Sequence, residues 1–255
     1  MRCPSCFVEC EDKFRCNFCG YQSELKRDGV YLVIGTKLRD GEYLIGKVLG
    51  RPGGFGITYL AWDTRLDLKV AIKEYLPLQV ATRSHDGKNV TVHDAEYAEN
   101  FKFGLEKFLE EAKTLAQFRH QNIVRVMNFF RENGTAYMVM DYLEGQSLGE
   151  YLEKTGRLTG PDAIAMFAPV LDGVAHIHSR NFIHRDIKPS NIYLTNEGQL
   201  ILLDFGSARQ ALRDRSQSMT AILTPGFAPW EQYHRKGKQG PWTDVYACAA
   251  TLTPC

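Results

Sequence analysis

The first half of the chain carries short apolar runs separated by turn residues, which is the pattern of an antiparallel sheet. The predicted strands are residues 43–50, 57–62, 70–73, 123–130 and 136–140. The first two flank a glycine-rich turn at 50–56, and the last two flank Glu132-Asn133-Gly134. An earlier strand is predicted at the apolar run 31–34, inside a connector, and residues 76–100 are predicted as an insertion with one short strand at 90–93.

Helical spacing of apolar residues begins after the insertion and dominates the second half. One helix is predicted from its apolar face, which consists of Phe101, Leu105, Phe108, Leu109, Ala112, Leu115 and Ala116. Two more helices are predicted at 148–154 and 162–179, and a hairpin at 192–194 and 200–203 turns at Asn196-Glu197-Gly198. The predicted fold class is therefore α+β, with a β-rich first half and a helical second half.

The composition is that of a soluble globular protein. The chain has 255 residues, of which 44% are hydrophobic and 24% are charged, so it is long enough to bury a sizeable core. Lysine and arginine total 31 against 30 acidic residues, which leaves no basic field for nucleic acid or an anionic membrane. Because no apolar run approaches the length of a membrane span and no signal region follows Met1, a cytoplasmic protein without a membrane segment is predicted.

The cysteines near the N-terminus follow the pattern C-x2-C-x9-C-x2-C, with Cys3, Cys6, Cys16 and Cys19 as its members. Each C-x2-C turn presents two thiolates to one ion, and four thiolates complete the closed tetrahedral shell of a structural zinc site. The alternatives are two disulfides or free thiols. An intracellular chain disfavours disulfides, and the paired C-x2-C units favour a metal. Cys10 lies between the pairs and is interpreted as a spare thiol.

Two polar motifs frame the hairpin predicted between residues 192 and 203. His184-Arg185-Asp186-Ile187-Lys188-Pro189-Ser190-Asn191 precedes it, and Asp204-Phe205-Gly206 follows thirteen residues after Asn191. Either motif alone is weak evidence. Upstream, however, Val70-Ala71-Ile72-Lys73 ends a predicted strand and Glu111 lies beside the apolar face of the next helix. In this order the segments resemble the nucleotide-binding and catalytic segments of protein kinases.

The resemblance implies a serine/threonine protein kinase of bacterial type, which transfers the γ-phosphoryl group of ATP to protein hydroxyls. Asp186 would orient the hydroxyl, Lys188 would neutralise the moving phosphoryl group, and Thr224 would bridge these two side chains. Asn191 and Asp204 would bind Mg²⁺ or Mn²⁺. The Lys188-Pro189 pair favours the serine/threonine class over tyrosine kinases.

The resemblance also implies where the nucleotide binds. Lys73 would contact the α- and β-phosphates, positioned by an ion pair with Glu111. The segment 50–56 resembles the phosphate-covering G-x-G-x-x-G loop, but Arg51 stands where the first glycine is expected, so the loop is one residue longer. The other implied nucleotide-binding residues are Leu49, Gly50, Gly53, Gly54, Phe55, Gly56, Thr58, Ala71, Met140 as gatekeeper, Asp141, Leu143, Ser147 at the ribose, and Tyr193.

Residues 207–223 resemble an activation segment. Thr220 lies four residues before Thr224 and is predicted as the main phosphorylation site, with Arg185 as the cation that receives the phosphate. Thr220, Ser216 and Ser218 are alternatively solvated loop hydroxyls. Further on, Glu231 is expected to lack its usual buried arginine, and Asp244 is expected to hold the backbone of His184-Arg185.

The predicted organisation is a zinc ribbon at 1–22, a linker at 23–42 and a kinase domain at 43–255. This domain would be bilobal, with an N-lobe at 43–140, a hinge at 141–146 and a C-lobe at 147–255 that is cut short after the start of its central helix. The expected partners are ATP, an unspecified protein substrate, and a second copy during autophosphorylation. The alternative functions are an ATP-binding pseudokinase or scaffold, and an inactive fragment of a longer kinase.

Overall fold

The computed structural model of the chain describes residues 2–10, 15–22, 29–53, 55–205, 223–234 and 237–253. The chain divides into two compact units. The first unit comprises Met1–Lys113 and Val126–Tyr142, and the second comprises Thr114–Arg125 and Leu143–Cys255. Among the described helices, none is both long and apolar enough to cross a lipid bilayer.

Within the described residues, the first unit is built on a six-stranded antiparallel sheet. Its strands are β1 (Lys37–Leu38), β2 (Tyr43–Gly53), β3 (Gly56–Asp63), β4 (Leu68–Tyr75), β7 (Val126–Glu132) and β8 (Thr135–Asp141). Their order across the sheet is β1-β2-β3-β4-β8-β7, which places β4 in the interior. The five strands predicted between residues 43 and 140 form, although the one predicted at 123–130 runs from Val126 to Glu132 and β2 extends beyond its predicted end to Gly53.

Helix α1 (Ala98–Leu115) packs its predicted apolar face into the first unit. The buried members of this face are Phe101, Phe108, Leu105, Ala112 and Leu115. Tyr75, at the end of β4, meets two of them, with ring centroids 5.2 Å from Phe101 and 5.7 Å from Phe108. The hydrophobic stripe of the sequence therefore docks the helix on the sheet.

The insertion before α1 folds into a hairpin of two short strands, β5 (Ala81–Arg83) and β6 (Val90–Val92). The predicted strand at 90–93 is confirmed, whereas its partner β5 was not predicted. The amide of Val90 also donates to the carbonyl of Asn133, in the turn between β7 and β8, at 2.8 Å. The insertion is thus held against the sheet by its backbone.

A buried ion pair joins this hairpin to the centre of the sheet. Arg83 of β5 pairs with the carboxylate of Glu74 on β4, and both side chains are 0% exposed. The hydroxyls of Tyr137 and Tyr59 donate to the same carboxylate at 2.8 and 3.1 Å. Burial raises the pKa of both tyrosines, so they stay protonated donors. A buried charge is stable when it is paired and hydrogen-bonded, as Glu74 is.

The predicted strand at 31–34 is wrong. Leu32 is buried, but Val33 and Ile34 are 40% and 37% exposed. The backbone of this segment forms a turn rather than a strand pair: the amide of Leu32 donates to the hydroxyl of Tyr59 at 3.1 Å, and the carbonyl of Val33 accepts the amide of Thr36 at 2.9 Å. Just before it, Arg83 donates to the carbonyl of Val30 at 2.8 Å. An apolar run is not sufficient for a strand where no strand edge is available to pair with it.

The second unit combines helices with a small antiparallel sheet in the order β11-β10-β9. Its strands are β9 (Gly145–Ser147), β10 (Ile192–Thr195) and β11 (Leu200–Leu202). Its helices are α2 (Leu148–Thr155), α3 (Gly160–His178), α4 (Trp230–Tyr233) and α5 (Pro241–Leu252). The helices predicted at 148–154 and 162–179 and the predicted hairpin are therefore confirmed to within two residues at each end.

The core of the second unit lies between α3, the hairpin and α5. Its buried residues are Leu148, Phe167, Val170, Val174, Ile187, Ile192, Leu200, Leu202, Ala247 and Cys248. Ile187 belongs to the segment that precedes the hairpin, and it is 1% exposed. The chain on both sides of Ile187 is consequently anchored in the core, which fixes the polar residues that flank it.

Candidate active site

Four polar side chains converge at the start of the hairpin in the second unit. Nζ of Lys188 lies 3.1 Å from Oδ1 of Asp186 and donates to Oγ1 of Thr224 at 2.9 Å. On the other side, Nδ2 of Asn191 donates to Oδ2 of Asp186 at 2.6 Å. Asp186 is 9% exposed, so these contacts fix a carboxylate that is largely shielded from water. Lys188 thus contacts both Asp186 and Thr224, whereas the resemblance implied that Thr224 would bridge the other two side chains. The catalytic roles of the three residues stay predictions.

Asp244 at the start of α5 holds the backbone before Asp186. Its Oδ2 accepts the amide of His184 and its Oδ1 accepts the amide of Arg185, both at 2.8 Å. Nε2 of His178 lies 2.7 Å from the same Oδ2. Because Asp244 is 0% exposed, this network is rigid, and the predicted role of Asp244 is confirmed.

The hairpin β10–β11 brings the two predicted magnesium ligands to one end. Ile192 pairs with Leu202, and the amide of Leu203 donates to the carbonyl of Asn191 at 2.9 Å. Asn191 and Asp204 therefore leave the hairpin side by side, as the spacing of the motifs predicts. An amide oxygen and a carboxylate suit a hard cation such as Mg²⁺.

Phe205, which follows Asp204, is buried against the ring of His184. The two ring centroids are 4.2 Å apart, and the ring centroid of Phe182 lies 5.6 Å from that of Phe205. Burial lowers the pKa of His184 below its ordinary value, which favours the neutral ring. In that form Nδ1 accepts the amide of Asp186 at 3.3 Å.

The predicted phosphate lysine, Lys73, lies on β4 in the interior of the first unit. It is paired in register with Thr58 of β3 on one side and with Met138 of β8 on the other. Glu111 on α1 is 3% exposed. A buried carboxylate needs a partner, which fits the expected pair with Lys73, and that pairing stays a prediction.

The remaining predicted nucleotide contacts are divided between the two units. Ala71 and Met140 are paired in register on β4 and β8, and Asp141 ends β8 opposite Val70. Leu143 belongs to the second unit, where Tyr193 of β10 is paired with Ser147 of β9. Their roles at a nucleotide stay predictions.

The glycine-rich segment is accommodated as an irregularity in the β2–β3 hairpin. Leu49 pairs with Thr58 and Gly53 with Gly56, so β2 contains more residues than β3 between these pairs. Gly50 has a φ of +67°, which favours glycine. Three residues of β2 stand against one of β3 between these pairs, which is a bulge-like irregularity. The one-residue lengthening of the loop relative to the family stays a prediction. Gly54 lies outside the described residues.

Gly56 has a packing role that the motif did not reveal. A side chain there would overlap the carbonyl oxygen of Glu74 on the neighbouring strand. Phe55, immediately before it, accepts the amide of Leu76 through its carbonyl at 3.2 Å. The close approach of β3 and β4 therefore requires glycine at position 56, whatever the loop binds.

Ser147 forms a helix cap in addition to any role at the nucleotide. Its hydroxyl accepts the amide of Glu150 at 3.1 Å, and the carboxylate of Glu150 accepts the amide of Ser147 at 2.9 Å. This is a reciprocal capping box at the start of α2. The sequence signal, Ser147 followed three residues later by Glu150, was present and overlooked.

Residues 223–234, which follow the predicted activation segment, contact the catalytic loop, residues 184–191. Glu231 accepts a hydrogen bond from Thr243 at 2.9 Å and is only partly buried. The loss of its usual arginine partner stays a prediction. Gln232, which was not singled out, donates to the carbonyl of Arg185 at 2.9 Å. Thr220 lies outside the described residues.

The four predicted cysteine ligands form one cluster in which all the sulfurs lie within 4.8 Å of one another. Sγ of Cys3 lies 3.7 Å from that of Cys19, and Cys6 lies 3.7 Å from Cys16. Sulfurs bound at about 2.3 Å in a tetrahedron around one zinc ion are about 3.8 Å apart, so the cluster fits such an ion. Hydrogen bonding from the backbone of Cys19 lowers the pKa of Cys16 to about 6, which favours the metal-binding thiolate.

Cys10, interpreted from the sequence as a spare thiol, lies next to this cluster. Its Sγ lies 3.2 Å from that of Cys16. It does not belong to the group of four that lie within reach of one another. Cys10 is thus a neighbour of one predicted ligand, and the four-cysteine set remains the one with the geometry of a closed site.

The described part of the cysteine module, residues 2–10 and 15–22, docks on β2 and β3 of the first unit. The amide of Lys47 on β2 donates to the carbonyl of Pro4 at 2.8 Å, and the ring of Phe7 lies 5.5 Å from that of Trp62. Any side chain at Gly46 would overlap the carbonyl of Pro4. Phe7 has a φ of +60°, a conformation that is unfavourable for a residue with a side chain. The module therefore accepts strain where it inserts this ring.

These features define the class of protein. Residues 43–254 match the protein kinase domain family, and the chain belongs to that family. A solved structure titled "PpkA-294 apo form" is similar, with a TM-score of 0.75 and 37% identity over 88% of this chain and 77% of that one.

Several relatives are bacterial serine/threonine-protein kinases. The chain is 29% identical to PrkC of Bacillus subtilis (strain 168) over 221 residues, which are 87% of this chain and 31% of PrkC. It is 32% identical to PknL of Mycobacterium bovis over 213 residues, 83% and 48% of the two chains. It is 33% identical to kinase F of Synechocystis sp. over 229 residues, 83% and 43% of the two chains. The chain thus spans between 31% and 48% of the length of these relatives.

Proposed function

We propose that the chain is a serine/threonine protein kinase that transfers the γ-phosphoryl group of ATP to hydroxyl groups of proteins. The observation that carries the proposal is the arrangement around Asp186. This carboxylate is held between Lys188 and Asn191, and Lys188 also reaches Thr224. A fixed carboxylate beside a cation and a metal-binding amide supplies what phosphoryl transfer requires.

In this function Asp186 accepts the proton of the incoming serine or threonine hydroxyl. The hydroxyl oxygen forms a bond to the γ-phosphorus, the bond from that phosphorus to the β–γ bridging oxygen breaks, and ADP leaves with the bonding electrons. Lys188 stabilises the negative charge on the moving group, and Thr224 holds Lys188 in place. Asn191 and Asp204 would hold Mg²⁺ or Mn²⁺, which neutralises phosphate charge when bound.

The nucleotide-binding residues of this proposal are those that the resemblance implies. Lys73, oriented by Glu111, would bind the α- and β-phosphates, and the backbone of the glycine-rich segment 49–56 would cover them. Ala71, Met140 and Tyr193 would line the adenine site, while backbone groups of Asp141 and Leu143 face its edge. Thr58 and Ser147 complete the proposed set, with Ser147 at the ribose.

The decisive experiment is transfer of labelled phosphate from ATP to a protein substrate by the wild-type chain and by Asp186→Ala. The variant should lose several orders of magnitude in rate, because the orienting carboxylate is gone, while ATP affinity stays within about twofold. Glu197→Ala, which removes an exposed carboxylate of the β10–β11 turn, is the matched control. Full activity in Asp186→Ala would refute the mechanism. ATP binding without transfer by the wild-type chain would support the scaffold alternative.

We also propose that residues 1–22 form a zinc ribbon in which Cys3, Cys6, Cys16 and Cys19 hold one structural Zn²⁺. Such a small module has few apolar residues of its own, so the ion would provide much of its stability. Metal analysis of the reduced protein should find one zinc per chain, lost in Cys16→Ser and kept in Cys10→Ser. Equal zinc content in both variants would contradict this ligand set.

Regulation by phosphorylation at Thr220 is part of the proposal. Nε of Arg185 is buried and has no hydrogen-bond partner among the residues that the structure describes, so it is available to a phosphate oxygen. Phosphopeptide mapping after incubation with Mg-ATP should place the modification on Thr220. Modification confined to Ser216 or Ser218 would refute the assignment.

We further infer a cytoplasmic location and transient self-association during autophosphorylation. In this proposal the kinase domain spans 43–255 and follows the linker 23–42.

A further inference from the structure

The peptide unit that joins Arg185 to Asp186 is hydrogen-bonded on both sides. Its N–H, which is the amide of Asp186, donates to Nδ1 of His184 at 3.3 Å. Its carbonyl oxygen, which belongs to Arg185, accepts Nε2 of Gln232 at 2.9 Å. Gln232 lies on α4 and is 3% exposed. The plane of the peptide that carries the catalytic carboxylate is therefore held from two directions.

This peptide needs such restraint because Arg185 has a φ of +68°. A residue with a side chain is unfavourable in that conformation and persists there when its surroundings fix it. Asp244 fixes the peptide before Arg185 by accepting its amide at 2.8 Å. Gln232 fixes the peptide after Arg185 by donating to its carbonyl. Together the two side chains determine the strained turn that leads into Asp186.

Gln232 also links the catalytic loop to the segment that carries Thr224. Both residues lie in the described segment 223–234, and the amides of Phe227 and Ala228 donate to the carbonyl of Thr224 at 3.2 and 3.1 Å. Thr224 accepts Lys188 at one end of this segment, and Gln232 donates to Arg185 at the other. The segment therefore contacts the catalytic loop at points on both sides of Asp186.

We propose that Gln232 is a positioning residue for phosphoryl transfer, which holds the Arg185–Asp186 peptide so that the Asp186 carboxylate keeps its place beside Lys188 and Asn191. The inference rests on the proposed kinase function. A buried amide that served only to fill space would not need its donor to face this carbonyl. A small displacement of an orienting group costs rate without loss of substrate binding.

The first test is Gln232→Met, which keeps the length of the side chain and removes the donor. We expect kcat for transfer to a protein substrate to fall about 10- to 100-fold, while KM for ATP changes less than about twofold. Gln121→Met, at an exposed turn of the second unit, is the matched control and should leave both constants unchanged. A kcat within about twofold of wild type in folded Gln232→Met would overturn the inference.

The second test is Gln232→Glu, which remains decisive if Gln232→Met does not fold. The introduced carboxylate would oppose the Arg185 carbonyl, whereas its protonated form can donate to it. The rate of Gln232→Glu relative to wild type should therefore rise as pH falls from about 8.5 to about 6. Glu231, His184, Arg185 and Asp244 are the neighbouring charged or titratable groups, and all are present in both proteins, so the ratio isolates the introduced carboxyl.

A relative rate that does not vary with pH would overturn the inference. An inactive wild-type chain would overturn the proposed kinase function and the inference with it. That outcome differs from an active wild type with an equally active Gln232→Met, which would remove the inference alone. Hydrogen exchange gives an independent readout: in Gln232→Met the amide of Asp186 should exchange faster, while the amide of Arg185, held by Asp244, stays protected.

Discussion

Both units bury a carboxylate completely, and the two carboxylates are satisfied in different ways. Glu74 in the first unit is paired with Arg83 and accepts two tyrosine hydroxyls, so these partners are all side chains. Asp244 in the second unit accepts two backbone amides and a histidine nitrogen. Each arrangement offsets the cost of desolvating a negative charge.

The difference lies in what each carboxylate fixes. Side-chain partners tie together elements that are distant in sequence, and Glu74 thereby fastens the insertion hairpin to the sheet. Backbone partners dictate the path of a loop, and Asp244 thereby sets the turn before the catalytic residue. We therefore expect changes around Glu74 to act mainly on stability, and changes around Asp244 to act on turnover as well.

The largest stability effect is expected for Arg83→Met. The substitution leaves the carboxylate of Glu74 buried without its cation, which should lower the free energy of unfolding of the first unit by about 3–5 kcal/mol. Urea denaturation measures this loss. Arg65→Met, which removes an arginine whose side chain is 72% exposed and 3.6 Å from Glu42, should cost less than about 1 kcal/mol. Equal effects of the two substitutions would show that the buried pair adds nothing.

Asp244→Asn should lower both stability and turnover. The amide side chain keeps one acceptor oxygen and turns a donor toward a backbone N–H, which should cost about 1–3 kcal/mol of unfolding free energy. Because the displaced amides belong to His184 and Arg185, kcat should fall by more than ATP affinity does. A variant that is destabilised yet turns over at the wild-type rate would break the distinction between the two networks.

Stability of the second unit should decrease as pH falls below about 6.5, the ordinary pKa of histidine. Burial lowers the pKa of His184 and, in the same unit, of His176. Below pH 6.5 the unfolded chain binds protons that the folded unit does not, so the free energy of unfolding drops until the lowered folded-state pKa is passed. The slope should approach about 1.4 kcal/mol per pH unit for His184, which is fully buried, and His176, which is partly exposed, should add less.

Urea denaturation between about pH 7.5 and 5.5 measures this slope, and His184→Gln should make it shallower. An unchanged slope in that variant would mean that His184 does not contribute.

The smallest effect is expected for Ser147→Ala. Loss of the cap at α2 should cost about 1 kcal/mol of unfolding free energy. If Ser147 also contacts ribose, loss of that hydrogen bond should raise KM for ATP a few-fold. A destabilised variant with an unchanged KM would reduce Ser147 to a helix cap.

The sequence predicted the second network better than the first because of where the partners lie. Asp244, His184 and Arg185 belong to short motifs whose order along the chain indicates their roles. Arg83 lies in an insertion without clear periodicity. Its pairing with Glu74 depends on the β5–β6 hairpin, of which the sequence predicts only the second strand. Composition alone gives no signal for such a partnership.

Predictions from local sequence patterns were wrong or incomplete where the outcome depends on residues that are distant in sequence. The apolar run at 31–34 does not form a strand: the amide of Leu32 donates to the hydroxyl of Tyr59, and the carbonyl of Val33 accepts the amide of Thr36 in a turn. Gly56 fits a phosphate-loop motif, but the carbonyl of Glu74 would exclude a side chain there in any case. The role of Gln232 could not be predicted from the sequence, because it depends on the carbonyl of Arg185, which the fold brings next to it.

The docking of the cysteine module on β2 and β3 bears on where the folded first unit begins. A chain shortened to start at residue 43 would keep the whole family match, but it would lose Phe7 and Arg2, which lie 5.5 and 5.4 Å from the ring of Trp62. It would also lose the carbonyl of Val30, which accepts Arg83. The indole would then face water and a buried guanidinium would lose an acceptor, so the shortened chain should aggregate more readily than the intact one.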